Sequence, residues 1–469
     1  MSNLSENLLK IMWEQSFALS NQLEKYKVNT YPTEELRIFI EEITEINIKF
    51  LGLFSQNPQT INHSELKAYS DIFRFFQENI VKSIAQSNIT NHPLEVMIPV
   101  REIVKLIGGD SNFITEPSWE LNYAIGDLWS TFANATNRIG LTNLQIEKRI
   151  VIQFPTLHKE NVLLGSIMGH ELGHYLDLHH GLNITEQLLP QMLNHPTIDK
   201  LIPYLKGNNN QNLDPNILRM IVKSVLSNSF LVNWLKEFVA DISGILLYGP
   251  ASHFSCEQIF MFFGVSDGTA LSDGFSNTHP RNYIRSVVRR KTLSYLSYDE
   301  LFPDRIQNVM DSWHTGWESS TISNINLTYK DTFFNQFIFE FTFNNESCKL
   351  IESILIDNID NIIKMVIDTI PKEIHYDSAK INEWVNPLSG KLSKLIPPNE
   401  LKGQPADSIS ILNAGWFAYY LYGDAIKRER GLQTFEGDLE LRETLNNLIR
   451  KALISANIHR RWIDVSTVR

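Results

Sequence analysis

The chain has 469 residues, too many for one compact core, so two or three domains are expected. Hydrophobic residues make up 43% of it, which excludes wholesale disorder. A formal net charge of −11 argues against a protein that tracks nucleic-acid phosphates.

In chain order, residues 1–30 read as a loosely amphipathic helix. Tyr31-Pro32-Thr33 looks like a helix start, and Leu36, Phe39, Ile40, Ile43, Ile46 and Phe50 follow at helical spacing. A further helix is expected over about 64–85, and the Asn-rich stretch 86–93 reads as a loop and a boundary. No chemical motif occurs in this part. A Gly108-Gly109-Asp110 turn then precedes a helical run predicted from Pro117 to about Asn137. Residues 148–154 alternate, with Ile150, Ile152 and Phe154 on one face, and Pro155 stops them: a strand. A free edge on that strand would hold an extended peptide by main-chain pairing; otherwise it is an ordinary sheet strand.

Short helices are predicted over 185–206 and a polar loop over 207–215. A long helix over 215–247 carries a break signal at Ser227-Asn228-Ser229, and a shorter apolar helix covers 255–264. The remainder is mostly helical by pattern. The exceptions are the aromatic run 333–343, which suits one or two strands, and the aromatic helix 411–422, read as core. The expected class is mainly α with some β: a core with a small sheet (94–298) that holds His170-Glu171-Leu172-Gly173-His174 and is on that account expected to be zincin-like, between helical N-terminal (1–93) and C-terminal (299–469) domains. Two cysteines, Cys256 and Cys348, give neither a disulfide framework nor a metal-binding pair. The N-terminus has no basic segment followed by an apolar run, and no stretch reaches the roughly 18 uncharged apolar residues of a membrane span. A soluble, cytoplasmic protein is expected.

The chemistry concentrates at His170-Glu171-Leu172-Gly173-His174, an H-E-x-x-H motif. On a helix, positions i and i+4 share a face, so two imidazoles can bind one small cation while Glu171 reaches a water held beside it. This is the helical zinc-hydrolase arrangement. Glycines at 165, 169 and 173 cost a helix about 1 kcal/mol each relative to alanine, which suggests close packing or room for a ligand. Downstream, Glu237 and Asp241 are again i and i+4, on an otherwise apolar helix face where unpaired charge is costly. Glu237 is the expected third metal ligand. Asp241 is expected to accept the hydrogen bond of a ligand histidine and set its tautomer. His180 is the fallback third ligand, standing where H-E-x-x-H-x-x-G-x-x-H places its last histidine, but Asp177 occupies the glycine position of that pattern.

Three segments together resemble the M48-type zinc metallopeptidases, the Ste24/HtpX-like gluzincins: His170–His174, then Glu237-Phe238-Val239-Ala240-Asp241, then Thr278-His279-Pro280 with Arg285. The resemblance covers about residues 145–290. It implies His170, His174 and Glu237 as zinc ligands, Glu171 as catalytic base, Asp241 behind the ligands, and His279 and Arg285 near the reacting carbonyl. Many members of that family are membrane proteins, whereas this chain has no span. The segment from Glu237 to Pro250 is also similar to the ImmA/IrrE-like soluble zinc peptidases; the Thr-His-Pro motif favours the first family.

The expected activity is zinc-dependent endopeptidase hydrolysis of a peptide or protein substrate. His279 or a nearby tyrosine would face the oxyanion; Arg285 would do so too, or would hold the loop in place. Two other readings stand beside it. One is a zinc-binding regulatory protein that retains the site without general protease activity. The other is a helical scaffold with core histidines.

Overall fold

The computed structural model describes residues 2–31, 34–55, 63–87, 94–107, 113–118, 123–126, 150–207, 214–264, 271–333, 337–431 and 435–467, with Phe132, Asn134, Thr136 and Asn137. It is mainly α-helical with small sheets. The chain forms two compact units, Met1–Met97 with Asp110–Glu160, and Ile98–Gly109 with Asn161–Arg469.

In the first unit, helices α1 (Ser2–Lys27), α2 (Glu34–Phe54) and α3 (His63–Phe75) bury one shared core. Phe39, Ile40, Ile43, Ile46 and Phe50 recur along one face of α2, all are buried in the same core as Phe73 and Phe76, and the Phe50 ring packs on both of these. A polar clasp sets the pairing of α1 and α2: Ser16 Oγ donates to Asn47 Oδ1 at 2.7 Å, and Asn47 Nδ2 donates to the Ser16 carbonyl at 2.8 Å.

The same unit holds a three-stranded sheet of β1 (Phe113–Ser118), β2 (Ala124–Gly126) and β3 (Ile150–Pro155), in the order β1-β3-β2. The strand expected at 148–154 is present as β3, but it is central. It pairs parallel with β1 and antiparallel with β2, so the free edge considered for peptide pairing does not exist. The helix expected from Pro117 is also corrected, since 113–118 and 124–126 are strands and most of the run 127–137 lies outside the described residues. Ile114 and Thr115 are β-branched and pair with Val151 and Ile152. Pro117, read as a helix start, instead lies in a strand, opposite Phe154.

The second unit is built on helix α4 (Met168–His174) and the buried helix α5 (Phe230–Tyr248). The predicted long helix over 215–247 does break at Ser227–Ser229, giving Pro215–Ser227 and α5. Helix α6 (Pro250–Gly264) follows after Gly249, whose φ of +59° reverses the chain. Helix α7 (Asn282–Tyr295) carries Arg285 and Arg289. A second sheet has the order β4-β6-β5, from β4 (Leu205–Gly207), β5 (Asn326–Phe333) and β6 (Phe337–Asn344). Phe339, Phe341 and Phe343 alternate inward on β6, and Phe343 stacks on Phe230 at 3.9 Å, seating the start of α5. The aromatic run 411–422 lies in the helix Ser408–Glu429, with Ile411, Leu412, Trp416 and Phe417 buried as core. Among the described residues, no helix is long and apolar enough to cross a membrane.

Candidate metal centre

Helices α4 and α5 touch through their backbones. A Cβ added at Gly173 would lie 2.8 Å from Ala240 Cα and 2.8 Å from Ser243 Cβ, and one at Gly169 would lie 2.8 Å from Tyr248 Cδ2. On the facing helix, a Cβ at Gly244 would lie 3.0 Å from the His170 nitrogen. The glycines of the motif helix are therefore packing glycines. Replacing Gly173 by alanine is expected to destabilise the fold by about 1–3 kcal/mol, because a methyl must be forced between two packed backbones. Chemical denaturation of the variant checks this; unchanged stability would contradict so tight a contact.

The contact brings three side chains together. His170 Nε2 and His174 Nε2 are 3.2 Å apart. The Glu237 carboxylate reaches over from α5, with Oε2 at 3.6 Å from His170 Nε2 and Oε1 at 3.4 Å from His174 Nε2. Among the described residues, these three form the group whose ligand atoms, all within 4.8 Å of one another, could hold a metal ion. The donor set fits one. His170 Nδ1 lies 3.0 Å from Asp241 Oδ1; a proton held there leaves the Nε2 lone pair facing His174 and Glu237. Glu237 Oε2 is buried and has no hydrogen-bond partner. Arg285 Nη2 is 3.0 Å from it, an ion pair that lacks hydrogen-bond geometry.

Buried charge surrounds the group. Arg285 Nε donates to Asp241 Oδ2 at 2.8 Å and its Nη2 to Oδ1 at 2.9 Å, with the guanidinium over the Phe260 ring. Burial alone would raise the pKa values of both carboxylates. Arg285 reverses this at each, helped by His174 and His170 at Glu237 and by Arg289 at Asp241, so both sit well below the usual carboxylate range. Burial likewise works against a protonated His174, but the hydrogen bond and charge of Glu237, with the charge of Glu171, outweigh it and raise its pKa. Glu171 itself is only 6% exposed, yet no hydrogen bond or ion pair from the described residues engages its carboxylate.

His279 is the outermost member. Its side chain is 56% exposed; Nε2 lies 3.7 Å from Glu237 Oε1, and Nδ1 lies 2.8 Å from Thr278 Oγ1. Arg285, by contrast, is buried against Asp241. The structure does not bring His180 into the group. The chain leaves α4 as a π-helical turn, Tyr175–His179, and the His180 ring packs on Tyr175 at 6.0 Å. Asp177 stays within that turn, and its Oδ1 accepts the Thr185 N–H at 3.0 Å. Cys256 and Cys348 are free and buried, and burial pushes both thiols up to about 12.

Sequence reasoning missed the layer behind Asp241. Arg289 Nη1 is 3.3 Å from Asp241 Oδ2, its Nη2 donates to Glu257 Oε1 at 2.7 Å, and Trp317 Nε1 donates to Glu257 Oε2 at 2.8 Å. Two signals were available: Arg289 is i+4 from Arg285, and Glu257 is a lone carboxylate on an apolar helix.

Two histidines one turn apart, a carboxylate from a second helix and a glutamate that lies between the histidines in sequence, with its charge acting on His174, make a centre suited to metal-assisted hydrolysis. Residues 142–290, about a third of the chain, match the model of peptidase family M48. No curated protein and no solved structure matches the chain.

Proposed function

We propose that the protein is a zinc-dependent metalloendopeptidase acting on peptide or protein substrates in the cytoplasm. The observation that carries this reading is the convergence of His170, His174 and Glu237, with the charge of Glu171 acting on His174. His170, His174 and Glu237 would hold a zinc ion, which would supply Lewis-acid chemistry for acidifying a water and polarising the scissile carbonyl. Glu171 accepts the proton of the attacking water and later delivers it to the leaving amine. Asp241 fixes the tautomer and orientation of His170 and is itself pinned by Arg285, which gives Arg285 a holding role rather than an oxyanion one. His279, exposed at the rim, donates a hydrogen bond to the developing oxyanion.

Digestion of casein or a mixed peptide pool by the purified protein tests the reading. Cleavage is expected that a chelator abolishes and added zinc restores, with about one metal ion bound per chain. Metal bound without any cleavage would favour the regulatory reading. A chain that binds no metal would reduce the site to a buried polar cluster.

A further inference from the structure

The segment 271–281, which carries His279, is held by groups outside the three motifs. Asp273 accepts the N–H groups of Asn282 at 2.8 Å and Tyr283 at 3.0 Å, capping α7 from nine and ten residues upstream. Trp234 Nε1 donates to the Ser276 carbonyl at 2.9 Å, and Asn233 Nδ2 donates to the Asn277 carbonyl at 3.0 Å. His279 N–H donates to Ser276 Oγ at 2.8 Å. The His279 side chain is more than half exposed and its Nδ1 bonds the neighbouring Thr278, so the backbone of this segment sets where its imidazole lies.

The strongest anchor comes from far along the chain. Arg281, two residues after His279, makes a bidentate pair with Glu352: Nε donates to Oε1 at 3.0 Å and Nη2 to Oε2 at 2.6 Å. Glu352 is buried and Arg281 largely so, with side-chain exposures of 3% and 13%. The guanidinium also lies over the rings of Phe275, at 5.2 Å, and Tyr283, at 5.8 Å. Glu352 stands on helix α8 (Asn345–Asp357), which starts with a capping box between Asn344 and Ser347. A two-point buried pair fixes direction as well as distance, which a single surface contact does not.

We propose that Glu352, which lies outside the matched family segment, is a positioning residue for His279. It clamps Arg281 and so holds the turn that presents the imidazole beside Glu237. The proposal rests on the peptidase reading of the site. It also gives the C-terminal helical region a part in the reaction.

The test uses the full-length, metal-loaded protein. Glu352→Ala is expected to raise amide exchange over residues 276–283 while 168–174 and 237–241 keep wild-type protection. Metal content and KM should stay within about twofold and kcat should fall about tenfold, as for a displaced catalytic group. Combining it with His279→Ala should cost no more than His279→Ala alone, and Arg281→Glu with Glu352→Arg should recover part of the loss. If Glu352→Ala does not fold, Glu352→Gln replaces it, with the same pattern at smaller amplitude. Losses that multiply in the double variant, or wild-type exchange over 276–283, would overturn the positioning role. A wild-type chain that binds metal but cleaves nothing would overturn the peptidase reading instead, while the exchange measurement still judges the clamp.

Discussion

Replacing Glu171 by glutamine is expected to leave the metal site loaded and the fold intact while turnover drops by about 10³-fold or more. The carboxamide has nearly the same shape as the carboxylate but cannot take a proton from water. The structure makes the substitution unusually clean. No hydrogen bond or ion pair from the described residues engages the Glu171 carboxylate, so no internal network is cut. His170, His174 and Glu237 keep their spacing. Metal content, thermal unfolding and peptide cleavage measured on one preparation separate the outcomes. Cleavage persisting at near wild-type rates would remove Glu171 from the mechanism.

Replacing Glu237 by alanine is the complementary experiment, with the loss expected in metal binding itself. Affinity should fall by at least about 100-fold, more than for the loss of a residue that only supports a ligand. Glu237→Gln serves as the isosteric control, since alanine also removes a buried partner of Arg285. His180→Ala should bind metal like the wild type, because the π-helical turn after His174 carries His180 to Tyr175 and not to Glu237. If His180→Ala releases the metal and Glu237→Ala does not, the third ligand has been assigned to the wrong residue.

Much of this centre was legible because helical geometry converts spacing into proximity. His170 and His174, and then Glu237 and Asp241, are each four residues apart, so each pair shares a helix face before any tertiary structure is known. The cost of burying Glu237 and Asp241 on an apolar helix already called for positive partners, and Arg285 and Arg289 are there. What stayed hidden depends on pairings that leave no local period. Glu352 meets Arg281 across 71 residues, and nothing near either one announces the other. The strands at 113–118 and 124–126 were misread for the same reason. Propensity around Pro117 allowed a helix start, and pairing with β3 decided otherwise. The break at Ser227–Ser229 and strand β6 were visible, since serine and asparagine punctuation and alternating aromatics act locally, whereas its partner β5 lies almost wholly before the aromatic run and was not.

The backbone contact between α4 and α5 has a consequence for which ions the centre accepts. Gly173 and Ala240 already stand at closest approach, so the two helices cannot draw together around an ion. The donor atoms are carried on rotatable side chains, so adjustment to an ion falls to their torsions while the two main chains stay in place. Discrimination among ions should therefore come from side-chain torsions and donor chemistry, with the helix pair as a fixed frame.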